Sequence, residues 1–119
     1  MRNIKLLIEY DGTNYHGWQI QPNGITVQEV LQRSLALMTR ERVRLIGSGR
    51  TDAGVHALGQ VANFQTSASI PPEGFRRGLN SLLPPDIVIK AAEEAAPDFN
   101  AQLLAKKKTY LYAILNREA

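Results

Sequence analysis

The sequence contains no cysteine, which excludes disulfide bonds and thiol chemistry and is compatible with a reducing cytosol. Without cysteine, its two histidines are too few to build a structural zinc site. Long hydrophobic runs are also missing near the N-terminus, where Leu6-Leu7-Ile8 is followed at once by Glu9. That run is too short for a signal peptide or a membrane span, so we expect a cytoplasmic protein that has no membrane partner.

The rest of the composition is ordinary for one globular domain. A chain of 119 residues with 44% hydrophobic and 21% charged residues can bury a core of its own. The net charge of +3 is mild, but the basic residues are grouped into three clusters: Arg33, Arg40, Arg42, Arg44 and Arg50; Arg76 and Arg77; Lys106, Lys107 and Lys108. Such clusters are typical of a surface that binds a phosphate backbone, although many basic faces are simply solvated.

Hydrophobic periodicity predicts the order of helices and strands. Ile4, Leu6, Ile8 and Tyr10 alternate as one buried face of a strand. The predicted elements are a strand over 4–10, a helix from Thr26 to about Thr39, a strand over 42–45, a strand over 60–66, a helix from Pro71-Pro72 to Leu83, a strand over 87–89, a connector over 93–98 and a last strand over 109–115. This β-α-β-β-α-β order, followed by a C-terminal strand, predicts an α+β ferredoxin-like fold with an antiparallel sheet and both helices on one face.

Several side chains can be assigned to the core or the surface from the same patterns. Thr26 and Glu29 form a capping box ahead of the first helix, and proline is tolerated where the second begins. Trp18 either stacks on a nucleic-acid base or closes the core, and we favour the core. The predicted core positions are Val27, Val30, Leu31, Leu35, Met38, Val43, Leu45, Ala62, Phe64, Phe75, Leu79, Leu82, Leu83 and Ile87-Val88-Ile89, whereas Arg76 and Arg77 should point outward.

The loop between the second and third predicted strands concentrates the chemically active residues. Gly47-Ser48-Gly49-Arg50-Thr51-Asp52-Ala53-Gly54-Val55-His56 contains three glycines, an arginine, a carboxylate and a histidine. Arg50 and Asp52 are two residues apart, so both side chains leave an extended backbone on the same side. The neighbouring guanidinium favours an ionised Asp52, which suits nucleophilic or electrostatic catalysis. A surface turn with a local ion pair would contain the same residues.

Other chemistries fit this region less well. Ser48, Asp52 and His56 suggest a hydrolase triad, but no sequence feature supplies an oxyanion hole. Gly47-Ser48-Gly49 lacks the third glycine of a dinucleotide-binding fingerprint. Asp11 is a rival carboxylate, yet Asp-Gly after a strand is typical of a turn. For His56, a general base and a loop-stabilising hydrogen bond are both open, and we favour the hydrogen bond.

The segment from Gly49 to His56 resembles the signature of the tRNA pseudouridine synthase A family. The resemblance extends from about Ile4 to Asn116 and includes further motifs in the family's order: Tyr10-Asp11-Gly12 with Tyr15, Gly17-Trp18-Gln19 and Gln21; Val27-Gln28-Glu29; Gly59-Gln60-Val61 with Phe64; Leu79-Asn80 with Leu83-Pro84; and Lys108-Thr109-Tyr110 with Tyr112. It implies the ferredoxin-like fold and isomerisation of uridine to pseudouridine in the anticodon stem-loop of tRNA, at tRNA positions 38 to 40. It implies no cofactor and no metal.

The resemblance also assigns roles to individual residues. Asp52 is the catalytic carboxylate, which attacks the sugar, stabilises oxocarbenium-like charge or takes a proton at C2′, and these routes remain open. Arg50 holds the flipped nucleotide and its phosphate, and Tyr110 stacks on the target base. The full expected site adds Thr51 and His56 on the substrate side, and Arg76, Arg77, Lys106, Lys107 and Lys108 on the nucleic-acid backbone.

The chain departs from the family pattern in sequence and in length. Asn100 and Gln102 stand where a histidine and an arginine are expected, which weakens any help those side chains give in holding RNA or the neighbouring loop. Family members run roughly as long again and carry a second similar half, so we expect residues 1–119 to be a single domain, the half with the catalytic aspartate. Activity without the second half stays open, and the terminal strand's free edge and the family both suggest a homodimer.

Two further functions stay open from the sequence alone. One is a non-catalytic RNA-binding module with a ferredoxin-like fold. The other is a small-molecule regulatory domain on the same fold, for which tRNA binding would be missing or would not weaken as salt rises.

Overall fold

The computed structural model of the protein describes residues 1–22, 24–49 and 57–103, leaving aside the side chains of residues 57 and 58. The strands are β1 (Arg2–Tyr10), β2 (Ile46–Gly47), β3 (Ala57–Thr66) and β4 (Ile87–Ala95), and the helices are α1 (Val27–Thr39), α2 (Pro72–Leu82) and a 3₁₀ turn (Gly12–Asn14). The predicted strand over 109–115 lies outside the described residues.

The four strands form one antiparallel sheet in the order β2-β3-β1-β4. Each helix connects two strands that are not neighbours in the sheet: α1 leads from β1 to β2, and α2 leads from β3 to β4. This connectivity is the split β-α-β arrangement, so the predicted α+β ferredoxin-like fold is confirmed.

The core lies between the sheet and the two helices. Ile4, Leu6, Ile8 and Tyr10 of β1 are all buried, as their alternation predicts, and they share one cluster with the buried residues of α1 and α2. Trp18 is only 1% exposed, and its ring stacks on that of Tyr10 with centroids 6.1 Å apart. The core assignment of Trp18 is therefore confirmed.

Both helices begin where the sequence predicts, although one predicted core residue is wrong. The Thr26 side chain accepts a hydrogen bond from the Glu29 backbone N–H at 3.3 Å and caps the start of α1. After Thr39, Arg40 caps the end of the helix in the left-handed conformation (φ 57°). Pro72 is the first residue of α2. Leu82 is 47% exposed, because the buried stripe of α2 passes from Leu79 to Leu83 and leaves Leu82 on the solvent side.

The second and fourth predicted strands differ most from the structure. Residues 42–45 alternate between exposed and buried but are not part of the sheet, and the ladder with β3 begins only at Ile46, which lies opposite Asn63. At the other edge, β4 continues to Ala95, so the first half of the predicted connector is strand. The predicted burial of Val88 is wrong: this residue is 40% exposed, because it lies on the sheet face away from the helices.

On the face away from the helices, two buried amides hold the chain that follows β4. Asn3 donates from Nδ2 to the carbonyls of Ala96 (2.8 Å) and Phe99 (2.9 Å). Asn63 accepts the Ala101 N–H at 2.8 Å and donates to Asn3 Oδ1 at 3.1 Å. Both amides are only 3% exposed. We call this group the amide clamp, and it fixes the direction in which the chain leaves the sheet towards residue 103.

Candidate active site

The glycine-rich loop joins β2 to β3, and the structure describes the residues on both of its sides. Gly49 is the last described residue before the loop, and β3 begins at Ala57 after it. Of the predicted site residues, Arg50, Thr51, Asp52, His56, Lys106, Lys107, Lys108 and Tyr110 lie outside the described residues. Arg76 and Arg77 lie on α2.

The two sides of the loop are held side by side. Gly47 pairs with Ala62, and the Ser48 N–H donates to the Val61 carbonyl at 2.8 Å. Beyond this pair, Gln60 donates from Nε2 to the Gly49 carbonyl at 2.7 Å. The peptide directly before Arg50 is therefore bonded to β3, and the loop starts from a defined point.

Two glutamines of α1 hold the segment that leads into β2. The Leu45 carbonyl accepts from Gln28 Nε2 at 2.7 Å, and the Leu45 N–H donates to Gln32 Oε1 at 3.0 Å. Gln28 also accepts the Ile20 N–H at 2.9 Å, which ties in the loop before α1. Gln28 is only 8% exposed, and its amide oxygen and nitrogen both have hydrogen-bond partners, as is usual for a buried polar side chain.

Trp18 supports the same segment from inside the core. A Cβ added at Gly47 would lie 2.6 Å from Cε2 and 2.8 Å from Cζ2 of the Trp18 ring. Only glycine lets the β2 backbone approach the indole this closely. The aromatic motif before α1 therefore braces the strand that carries the loop.

A groove of about 440 Å³ opens at the end of β1 and is lined by Glu9, Tyr10, Asp11, Pro85, Asp86, Val88 and Lys90. Tyr10 lies opposite Ala57, so the groove and the end of the loop are at the same end of the sheet. Asp86 accepts a hydrogen bond from the Tyr15 hydroxyl at 2.6 Å. Burial raises the pKa of Tyr15 above its ordinary value, and this hydrogen bond raises it further. Glu9 pairs with Lys90 at 3.6 Å. The acidic lining disfavours a phosphate inside the groove.

Asp11, the rival carboxylate, has a structural role. It caps the 3₁₀ turn by accepting the Thr13 N–H at 3.0 Å, and its own N–H donates to the Asp86 carbonyl at 2.9 Å. The turn interpretation of Asp-Gly is therefore confirmed.

Arg76 and Arg77 reach the surface, as predicted, but both contact the same carboxylate. Glu73 accepts Arg76 Nε at 2.9 Å and Arg77 Nε at 3.3 Å. Hydrogen bonding to Arg76 holds the pKa of Glu73 below its ordinary value, with a further contribution from Arg77. A nucleic-acid phosphate would have to compete with this carboxylate for both guanidinium groups.

The sequence motifs missed the amides that hold the flanks of the loop and the chain after β4, or noted them without a role. Gln28 and Gln60 belong to motifs that the sequence highlights, while Gln32, Asn3 and Asn63 do not. A signal existed for Asn63, since Asn is depleted in strands and this residue lies within the predicted strand over 60–66. Among the described residues, no group of three or more His, Asp or Glu is placed to hold a metal ion, and no helix is long and apolar enough to cross a membrane.

Comparison with known proteins agrees with this architecture. The family model for tRNA pseudouridine synthase matches residues 6–102. The protein named tRNA pseudouridine synthase A from Geobacter sulfurreducens is 59% identical over 114 residues, which cover 96% of this chain and 47% of that protein. Proteins of the same name from Geotalea uraniireducens and a Thermoanaerobacter species are 60% and 56% identical, over 98% and 99% of this chain and 48% of each relative.

A ferredoxin-like domain in which hydrogen bonds hold both described flanks of a glycine-rich segment between β2 and β3 is thus the class that fold and site define. Within that class, the chain belongs to the tRNA pseudouridine synthase family. It spans about half the length of the curated relatives that it matches.

Proposed function

We propose that the chain is the half of a tRNA pseudouridine synthase that carries the catalytic aspartate, and that the whole protein isomerises uridine to pseudouridine in the anticodon stem-loop. The observation that carries the proposal is the Gly49–His56 signature within a chain of this family. The braced flanks of the loop support it, because a catalytic group must be held close to its productive position.

The reaction breaks the N-glycosidic bond, turns the base over and joins it to the same sugar carbon through a C–C bond. In the proposal, Asp52 is the catalytic carboxylate. It attacks the sugar, stabilises oxocarbenium-like charge or takes a proton from C2′. Arg50 holds the extruded nucleotide and its phosphate, Tyr110 stacks on the base, and Thr51 and His56 complete the loop. Stacking returns about 1–3 kcal/mol of the cost of extruding the base.

The proposal extends to the partner and the assembly. The tRNA backbone contacts Arg76, Arg77, Lys106, Lys107 and Lys108, the protein acts in the cytoplasm, and the active form is a homodimer in which a second half completes the cleft. Each part rests on the family resemblance, and the dimer can be measured separately by light scattering.

Tritium release from tRNA that carries 5-tritiated uridine tests the reaction. We would assay this chain and a chimera in which it replaces the matching half of the Geobacter sulfurreducens relative, to which it is 59% identical. The chimera should release tritium, and Asp52→Ala and the isosteric Asp52→Asn should abolish release. Release that persists in both variants would contradict the role of Asp52.

The half-length of the chain favours one alternative for the isolated molecule, an RNA-binding module without chemistry of its own. It predicts that the chain alone binds tRNA but releases no tritium. Release by the chain alone, abolished by Asp52→Asn, would rule this alternative out.

A further inference from the structure

The positive charges on the described surface are compensated unevenly. Nine lysines and arginines lie among the described residues, and six of them form ion pairs: Arg2 with Glu94, Lys5 with Glu93, Arg33 with Glu29, Arg76 and Arg77 with Glu73, and Lys90 with Glu9. The other three are Arg40, Arg42 and Arg44, which make no ion pair within the described part of the chain and are all exposed. We call these three the arginine edge.

The one carboxylate within this stretch is occupied elsewhere. Glu41 accepts hydrogen bonds from the Ser67 hydroxyl at 2.7 Å, from the Ser67 N–H at 3.0 Å and from the Thr66 hydroxyl. The hydrogen bonds of Ser67, and then those of Thr66, lower the pKa of Glu41. Glu41 is therefore held at the end of β3, and it forms no ion pair with the arginine edge within the described part of the chain.

The backbone places Arg42 and Arg44 on one side of the chain. They alternate with Val43 and Leu45, which are 3% and 1% exposed and face the core. The two arginines therefore point away from the core, as alternate residues of an extended segment do. The neighbouring strand β3 offers them no carboxylate, because its sequence ALGQVANFQT contains no charged residue.

The arginine edge also leads directly to the proposed catalytic loop. Arg44 is followed by β2 and then by Gly49, whose carbonyl is bonded to Gln60 at the start of the loop. Five residues of extended chain span at most about 17 Å, so an RNA bound at the loop lies within reach of these guanidinium groups. Arginine suits that partner, since its planar group forms paired hydrogen bonds to phosphate.

We propose that the arginine edge binds the phosphodiester backbone of the RNA substrate on the β2 side of the catalytic loop. The inference rests on the proposed function for the identity of the RNA. It makes residues 40–44 a stronger backbone contact than Arg76 and Arg77, both of which form an ion pair with Glu73.

Binding measured against salt concentration tests the inference. We would titrate the 119-residue chain with an unmodified tRNA transcript and with an oligouridylate, from 50 to 200 mM salt. Arg42→Gln/Arg44→Gln should lower the slope of log Kd against log salt by about 1.4–1.8, since each lost phosphate contact contributes about 0.7–0.9. Over this range the wild type should lose about 7–12-fold more affinity than the variant.

Arg76→Gln/Arg77→Gln is the matched comparison, because it removes the same charge from α2. It should change the slope by less than half as much. Thermal melting of both variants checks that the exposed substitutions leave the fold intact.

The outcomes separate the inference from the proposed reaction. Tritium release by the chimera together with an unchanged slope in Arg42→Gln/Arg44→Gln overturns the arginine edge and leaves the reaction. A reduced slope without tritium release leaves the arginine edge and overturns the reaction. No binding of either RNA by the wild-type chain, or a larger effect from the α2 variant, also overturns the inference.

Discussion

Asn63→Ala removes the centre of the amide clamp, and its cost can be worked out from the contacts. The substitution leaves the Ala101 N–H, bonded at 2.8 Å, and Asn3 Oδ1, bonded at 3.1 Å, without their partner. An unpaired buried donor or acceptor costs about 1–3 kcal/mol, so two of them give about 2–6 kcal/mol. We expect about 3 kcal/mol, because the segment after β4 is at the surface and can admit water to one of the groups.

Urea unfolding measures this loss, and amide hydrogen exchange locates it. Exchange at Ala101 should become faster in Asn63→Ala, because its N–H loses its acceptor, while exchange in the middle of β1 should follow only the change in global stability. Gln65→Ala is the control, since this exposed residue lies two positions along the same strand. A loss below about 0.5 kcal/mol with unchanged protection at Ala101, as expected for an ordinary surface substitution, would refute the reasoning.

Three further predictions concern the loop and its surroundings. Gln60→Glu replaces the donor that holds the Gly49 carbonyl by a carboxylate oxygen, so kcat for tritium release by the chimera should fall about tenfold with little change in KM, corresponding to about 1.4 kcal/mol. An unchanged kcat would contradict this. Gly47→Ala places a methyl group 2.6 Å from a ring atom of Trp18 and should cost about 1–3 kcal/mol in urea unfolding, and wild-type stability in the variant would show that the ring yields freely. Tyr15 has a pKa raised above its ordinary value of 10.0, first by burial, so the folded state prefers the neutral phenol and wild-type stability should fall as the pH rises above about 10. Tyr15→Phe should lack this part of the decline while losing about 1.5 kcal/mol at pH 7, and identical profiles between pH 8 and 11 would contradict it.

The sequence predicts those features of the fold that depend on local patterns. The alternation from Ile4 to Tyr10 identifies β1, and Thr26 identifies the start of α1, because both signals are contained within a few residues. The order of the elements then leaves the ferredoxin-like sheet as the natural arrangement, and the sheet order β2-β3-β1-β4 confirms it.

The two largest errors in strand bounds have different causes. Val43 and Leu45 alternate correctly, but alternation reports burial against the core, whereas a strand also needs a hydrogen-bonded neighbour, which begins only at Ile46. In β4 the error is the opposite one, because charged residues that belong to the strand were predicted to form a connector. Glu93 lies within the strand, opposite Lys5, with which it forms an ion pair at 3.2 Å on the open face.

The amide hydrogen bonds that hold the chain after β4 and the flanks of the loop could not be predicted from local sequence, because their partners are distant. Asn3 bonds to Phe99 across 96 positions, and Asn63 bonds to Ala101 across 38. Gln28 and Gln60 appear in recognisable motifs, yet neither motif indicates which carbonyl its amide will meet. The arginine edge was visible as a cluster, but its lack of compensation depends on where Glu41 turns.

The short β2 strand has a consequence for how the protein responds to its surroundings. With only two residues in the ladder, the polypeptide ahead of the loop depends on carboxamide groups of Gln28, Gln32 and Gln60 for much of its anchorage. A carboxamide neither gains nor loses a proton in ordinary buffers, and ions in solution barely weaken its bonds. The hydrogen bonds that hold the segment before the loop should therefore stay the same from mildly acidic to mildly alkaline solution and at any practical ionic strength. In the proposed reaction, variation in turnover across those conditions would then report the reacting groups and the bound RNA, because these amide hydrogen bonds stay constant.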